Sequence, residues 1–308
     1  PPAPPPPAPW ESHPYSPAWA SLQPRPPICF DVPSHSAPRS RGQIGARTSF
    51  GFVLSSLAAN LSRSSFSFAP SSPSSALSPS LPSHPSATRG GGVRILEIGT
   101  FYGAGSTLDM ALAIERSVPS PNCVQAGAPN RKCCHSAVVT IELFEPAWRH
   151  ASRALRDLPV RCVRGTTVPV NEMMQASEVP EAERGSHFRL YHRRDAELMR
   201  SMTPLLTPLC QESPFDMVLI DGNEYTGWAE FVRVERDCRP RYLALHDTNT
   251  LKTRRIERHL ASHPAKYREV PRKGQTEHGP FCALANCLPE HKFEPNAAGW
   301  AIFELIRA

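Results

Sequence analysis

Short apolar runs in this chain end, one after another, on acids and glycines. VRILEIG (93–99) closes on Glu97 and Gly99 and continues through Thr100, Phe101, Gly103, Gly105, Ser106 and Thr107. Glycines there let the backbone approach a bound group closely, and a helix starting after them aims unpaired N–H groups at an anion. AVVTIE (137–142) ends on Glu142, whose carboxylate can accept two hydrogen bonds from a ribose diol. FDMVLID (215–221) ends on Asp221 before Gly222, and RYLALHD (241–247) ends on His246 and Asp247. In open α/β sheets ligands bind outside the carboxyl ends of the strands, so these are the candidate site residues.

Two nucleotide chemistries fit less well. A nicotinamide fingerprint needs G-x-G-x-x-G, whereas the glycines here stand at 99, 103 and 105. A phosphate-binding P-loop needs a Gly-Lys-Ser/Thr that does not follow.

The elements that must position these residues alternate. Strands are expected at 93–99, 137–142, 160–165, 215–221, 241–247 and 299–306. Helices are expected between them. One carries Leu108, Ala111 and Leu112 on its apolar face. The next runs from Pro146 to Asp157 with a stripe of Trp148, Ala151, Leu155 and Leu158. Asp195 is expected to cap a helix reaching Leu209, and Thr250 one reaching Leu260. Tyr225, Trp228 and Val232 recur at helical spacing. Residues 170–194 read as a polar insertion. Lys252, Arg254, Arg255 and Arg258 read as a solvated helix face. Alternating strand and helix predict a parallel α/β sheet with right-handed crossovers.

Composition divides the chain at about residue 88. Of 35 prolines, 19 lie in the first 90 residues, with 21 serines, six arginines and only two acids, so +4 of the formal +6 sits there. The nearly neutral remainder argues against a nucleic-acid partner. Residues 1–88 are read as a disordered Pro/Ser-rich tail, with 39–89 suiting a transit peptide or a plain extension. Residues 89–308 are read as the folded domain. No stretch holds 18 apolar residues, so no membrane span is expected. Nine cysteines at irregular spacing point to reduced thiols in an intracellular compartment, cytoplasmic or, with a transit peptide, plastid. Two Cys/His groups, Cys123/Cys133/Cys134/His135 and His278/Cys282/Cys287/His291, match no zinc fingerprint.

ILEIGTFYGAGSTL (95–108) resembles motif I of class I S-adenosylmethionine-dependent methyltransferases, in the version of the catechol O-methyltransferase group and related small-molecule and sugar O-methyltransferases. VVTIELFEPAWRHASRAL, VRCVRGTT, FDMVLIDG and LALHDT are similar to that family's later motifs, in order. The resemblance covers about residues 90–262 and the last strand. It implies a Rossmann-like three-layer sandwich with a mostly parallel seven-stranded sheet. It implies S-adenosylmethionine held by Glu97, Gly99, Thr100, Phe101, Gly103 and Ser106 at the methionine end, Glu142 at the ribose and Thr166 near the adenine. Asp221 lies near the methionine end or, in the metal-dependent branch, binds Mg²⁺ together with Asp247. His246, Asp247 and Asp221 are the implied catalytic residues, with His246 as general base. Methyl transfer to a hydroxyl of a small molecule or sugar follows; the alternatives are a cephalosporin hydroxylase-like enzyme on the same fold, or a degenerate cofactor-binding protein. A homo-oligomer is left open. This sequence departs from the catechol enzymes in having Gly105 as an extra residue, Glu224 where they have a lysine base, and His-Asp at the fifth strand.

Overall fold

Apolar side chains occupy both faces of the central strands, which alternate between two cores. In the computed structural model, which describes residues 49–66, 93–117 except 102 and 104, 137–212 except 186–187, 214–270 and 299–306, the sheet has seven strands. They are β1 (Arg94–Ile98), β2 (Ala137–Glu142), β3 (Val160–Arg164), β4 (Met217–Ile220), β5 (Tyr242–His246), β6 (Tyr267–Glu269) and β7 (Trp300–Leu305), in the order β3-β2-β1-β4-β5-β7-β6. β1 to β5 pair in parallel; β7 runs antiparallel to β5 and to β6. This is the mostly parallel, seven-stranded α/β sheet that the resemblance implies. All described residues belong to one compact unit, Gly42–Ala308.

One core holds Ile95, Val138, Met217, Leu219, Ala244 and Ile302. It is covered by helices α1 (Ser49–Phe66) and α2 (Ser106–Ser117). The other holds Leu96, Ile98, Val139, Ile141, Val218, Ile220 and Leu245. Residues of α5 (Leu206–Glu212), α6 (Gly227–Arg233), the π-helical turn Val234–Cys238 and α7 (Arg254–Ala261) cover it. Adjacent residues such as Ile95 and Leu96 fall into different cores, as period-two alternation requires.

Register brings the strand ends together. Ile98 lies opposite Ile141 and Ile220, and Ile220 lies opposite Leu245. Gly99, Glu142, Asp221 and His246 therefore leave the sheet along one edge. The Gly99 N–H donates to the Ile141 carbonyl at 3.0 Å, and the Asp221 N–H to that of Ile98 at 2.9 Å.

Several expectations need correction. The tail reading fails for residues 49–66, which form α1. Phe50, Leu54, Leu57, Ala58 and Leu61 recur at helical spacing and are buried in the first core. Serine-rich composition concealed that stripe. The readings for residues 1–48 and 67–88, for the loop at 118–136 and for both Cys/His groups lie outside the described residues. In α2 the buried face is Thr107, Met110, Ala111 and Ile114, while Leu108 and Leu112 are half-buried. Bonds from Ser106 and Thr107 to Glu97 set that helical phase. Asp195 caps nothing: it sits inside α4 (Phe188–Arg200), and α5 begins separately beyond Pro204. Thr250 lies in a turn, and α7 starts after Thr253. Helix α3 is Glu145–Ala154, with Trp148 half-buried and its Nε1 donating to the Cys162 carbonyl at 3.3 Å. Val232 is exposed. Cys210 and Cys238 are paired as a disulfide, their Cα atoms 4.7 Å apart. The packing of α5 on the π-helical turn produces that pair, which linear spacing does not reveal. Among the described residues no helix is long and apolar enough to cross a membrane.

The expected insertion at 170–194 has order of its own. Val168, Met173, Val179, Phe188, Ala196, Met199 and Tyr225 form a third apolar cluster. It is tied to the turn after β4, where Asn223 Nδ2 donates to Asp195 at 2.7 Å and the Met174 N–H to the Tyr225 carbonyl at 2.9 Å.

Candidate functional site

The loop after β1 is shaped by positive backbone angles. Gly99 has φ +94°, and a Cβ there would come within 2.3 Å of the Asp221 carbonyl oxygen. Gly103 has φ +74°, with Leu155 and Ala151 filling the space a Cβ would need. Phe101, a non-glycine at φ 50°, is half-exposed at the loop tip. Glu97, fully buried, accepts hydrogen bonds from the hydroxyls of Ser106 and Thr107. Burial pushes its carboxyl up to about 7 in spite of those bonds. Thr100 shares a hydrogen bond with Thr140. Glu97, Thr100 and Ser106 thus build the loop from beneath, Gly103 packs it against α3, and Phe101 lies at its exposed tip.

Glu142 stands at the end of β2, 9% exposed. Its two oxygens accept the N–H groups of Phe101 and Phe144, each at 2.7 Å. Burial raises its carboxyl to about 7, against the lowering effect of those N–H groups. The glycine loop and Glu142 are therefore one hydrogen-bonded unit. Thr166 is buried and its hydroxyl donates to the Val168 carbonyl at 2.8 Å.

At the ends of β4 and β5 four charged or titratable side chains converge. His246 Nδ1 lies 3.0 Å from Asp221 Oδ1 and 3.3 Å from Asp247 Oδ1. Lys252 Nζ lies 2.8 Å from Asp221 Oδ1 and 2.6 Å from Asp247 Oδ2. Burial alone would raise the Asp221 carboxyl, but Lys252 and His246 hold it below its ordinary value. Burial works against the Lys252 charge, yet Asp221, Asp247 and Glu224 keep its pKa above the usual lysine value. Burial also raises the Glu224 carboxyl. Asp247 takes φ 58°, a left-handed conformation costing about 1–3 kcal/mol that the surrounding bonds must offset.

Lys252 was read as part of a solvated helix face; it is instead 7% exposed and points into the cluster. The segment from Asp247 folds back as a tight turn. The Thr250 hydroxyl donates to the Asp247 carbonyl at 2.9 Å, and the Thr253 hydroxyl to the His246 carbonyl at 2.6 Å. Gly227 opens α6 with no side chain, and a Cβ there would meet the Lys252 carbonyl oxygen at 2.1 Å. The Asn-Thr pair at 249–250 was the available signal of a turn.

Two further residues escaped sequence reasoning. Phe50 of α1 stacks on the His246 ring, centroids 5.5 Å apart and planes 4° from parallel. Glu230 of α6 is 1% exposed beneath Gly222; its Oε1 accepts from the hydroxyls of Thr167 at 2.5 Å and Thr226 at 2.9 Å. Among the described residues its Oε2 has no hydrogen-bond partner, and burial raises its carboxyl to about 7.

Asp221, His246 and Asp247 bring three donor atoms within 4.8 Å of one another, a spacing that suits a cation. The Lys252 ammonium already bonds both carboxylates. A Mg²⁺ ion held at about 2.1 Å by the same oxygens would crowd that like-charged group. The donor set as it stands does not fit a resident Mg²⁺.

No protein-family model matches the chain, and no curated protein matches it in sequence. Among solved structures, matches include a Staphylococcus aureus protein assigned as a caffeoyl-CoA O-methyltransferase, 13% identical, covering 69% of this chain and 76% of that one with a TM-score of 0.37. A Geobacter sulfurreducens methyltransferase is 12% identical over 70% of this chain and 71% of its own, TM-score 0.36. A Bacillus cereus O-methyltransferase in complex with SAH is 14% identical over 70% and 74%, TM-score 0.32.

Proposed function

We propose that this chain is an S-adenosylmethionine-dependent methyltransferase acting on a hydroxyl oxygen of a small molecule or sugar. The observation that carries the reading is the Glu142 carboxylate, held at the strand edge by the N–H groups of Phe101 and Phe144 beside the Gly99–Gly103 loop. That arrangement suits an adenosine-bearing cofactor: an open backbone on one side and a diol acceptor on the other. The donor supplies an electrophilic methyl group on a sulfonium.

The chain's own residues supply the rest. Gly99 and Gly103 let the loop close onto Asp221 and onto α3, which fixes the backbone proposed to face the methionine end. His246 takes the hydroxyl proton at Nε2, while Asp221 accepts from Nδ1 and fixes the tautomer. Relieved of that proton, the oxygen would be able to take up the methyl group, the donor leaving as a neutral thioether. Phe50, stacked on the imidazole, keeps the ring in one plane.

Calorimetric titration of the full chain with S-adenosylmethionine tests this. The expected result is one site of micromolar affinity, weakened about tenfold or more by Glu142→Ala, since charge-assisted hydrogen bonds are worth about 1.5–3 kcal/mol. A folded protein that takes up no cofactor would remove the methyltransferase reading.

A further inference from the structure

We propose that the Lys252 ammonium is the built-in cation of this site, so that Asp221 and Asp247 work without a divalent metal. Two carboxylates set this close repel each other and require a positive charge between them. Lys252 provides it at 2.8 and 2.6 Å, through a side chain only 7% exposed.

The fold is arranged to deliver this lysine. Gly227 admits the Lys252 backbone against the start of α6, where any larger residue would meet its carbonyl. The Lys252 N–H donates to the Thr250 hydroxyl at 3.3 Å, and Thr253 anchors the far side of the turn on the His246 carbonyl. The left-handed backbone at Asp247 turns the chain toward that position. Removing the lysine would leave three converging donors with their cation missing.

The inference concerns the charge arrangement. Only its catalytic meaning rests on the methyltransferase reading, because cation binding is measured without cofactor or acceptor. The test is titration of the full chain with Mn²⁺, followed by electron paramagnetic resonance, for the native sequence, Lys252→Met and Lys252→Gln. The native chain should show no Mn²⁺ site tighter than about 1 mM. Lys252→Met should gain one at least about tenfold tighter, lost again when Asp221→Asn is added. Lys252→Gln supplies the same comparison should the methionine variant fail to fold, and Lys252→Arg should stay blind to Mn²⁺.

Submillimolar Mn²⁺ binding by the native chain, weakened by Asp221→Asn or Asp247→Asn, would overturn the proposal. So would folded Lys252→Met and Lys252→Gln variants that gain no site. Chelator should leave native turnover unchanged. A chain that binds no S-adenosylmethionine yet shows this Mn²⁺ pattern would lose the methyltransferase reading and keep the lysine.

Discussion

Gly99 carries a constraint that no other side chain can meet. Alanine there would have to hold φ +94° and place its Cβ against the Asp221 carbonyl. The left-handed backbone alone costs about 1–2 kcal/mol, and the contact, being with backbone, has no rotamer to relieve it. Gly99→Ala should lower the urea midpoint and separate the ends of β1 and β4, weakening cofactor binding in the same sample. A variant with native stability and affinity would show that the loop is not held in this shape. Phe50→Leu keeps the apolar bulk and removes the parallel ring. It should cost up to about 1.5 kcal/mol of stability and change the pH–rate profile attributed to His246. An unaltered profile would reduce Phe50 to packing.

At the scale of elements, α1 is the segment whose importance composition hid. Leu54 is fully buried between α1 and the sheet core. Leu54→Ala should cost about 2–5 kcal/mol, the usual range for a buried leucine, as read by chemical denaturation. A loss under about 0.5 kcal/mol would mean the helix is not docked. The parallel strands were legible because both their faces are buried, so β1, β2, β4 and β5 read as continuous apolar runs. β6 was not, since it is three residues long with Arg268 and Glu269 exposed. The strand-end residues Glu142, Asp221 and His246 were legible because parallel register needs only strand order to align them. Lys252 was not, because its role depends on how a six-residue turn folds back. Periodicity carries no information about such a turn, and its neighbours Arg254 and Arg255 made it look like helix surface.

Over the whole molecule, buried carboxyls set the response to pH. Burial raises Glu97, Glu142 and Glu230 from an ordinary 4.5, and Asp109 from 3.8, to about 7 each. The folded state therefore binds these protons more tightly than the unfolded chain. Their contribution is complete below the unfolded values and is lost as pH rises through about 7. Asp237, held near 2 chiefly by its bond from Arg236, acts in the opposite sense only below pH 4. Stability should accordingly decline between pH 5 and pH 8. Glu230→Gln keeps an acceptor for Thr167 and Thr226 and removes the ionising oxygen. It should flatten that decline by at most about 3 kcal/mol, the ceiling set by a shift from 4.5 to about 7. Urea midpoints measured at pH 5, 6, 7 and 8 check this; a wild-type profile that rises across the window would contradict it.

The stacking of Phe50 on His246 also ties the charged cluster to the integrity of the first turn of α1. Ser49 is the first residue of α1, and Phe50 lies one position inside it. A backbone cut before residue 49 would leave that turn whole. A cut a few residues later would leave the sheet's charged cluster in place but strip away the ring that covers its histidine.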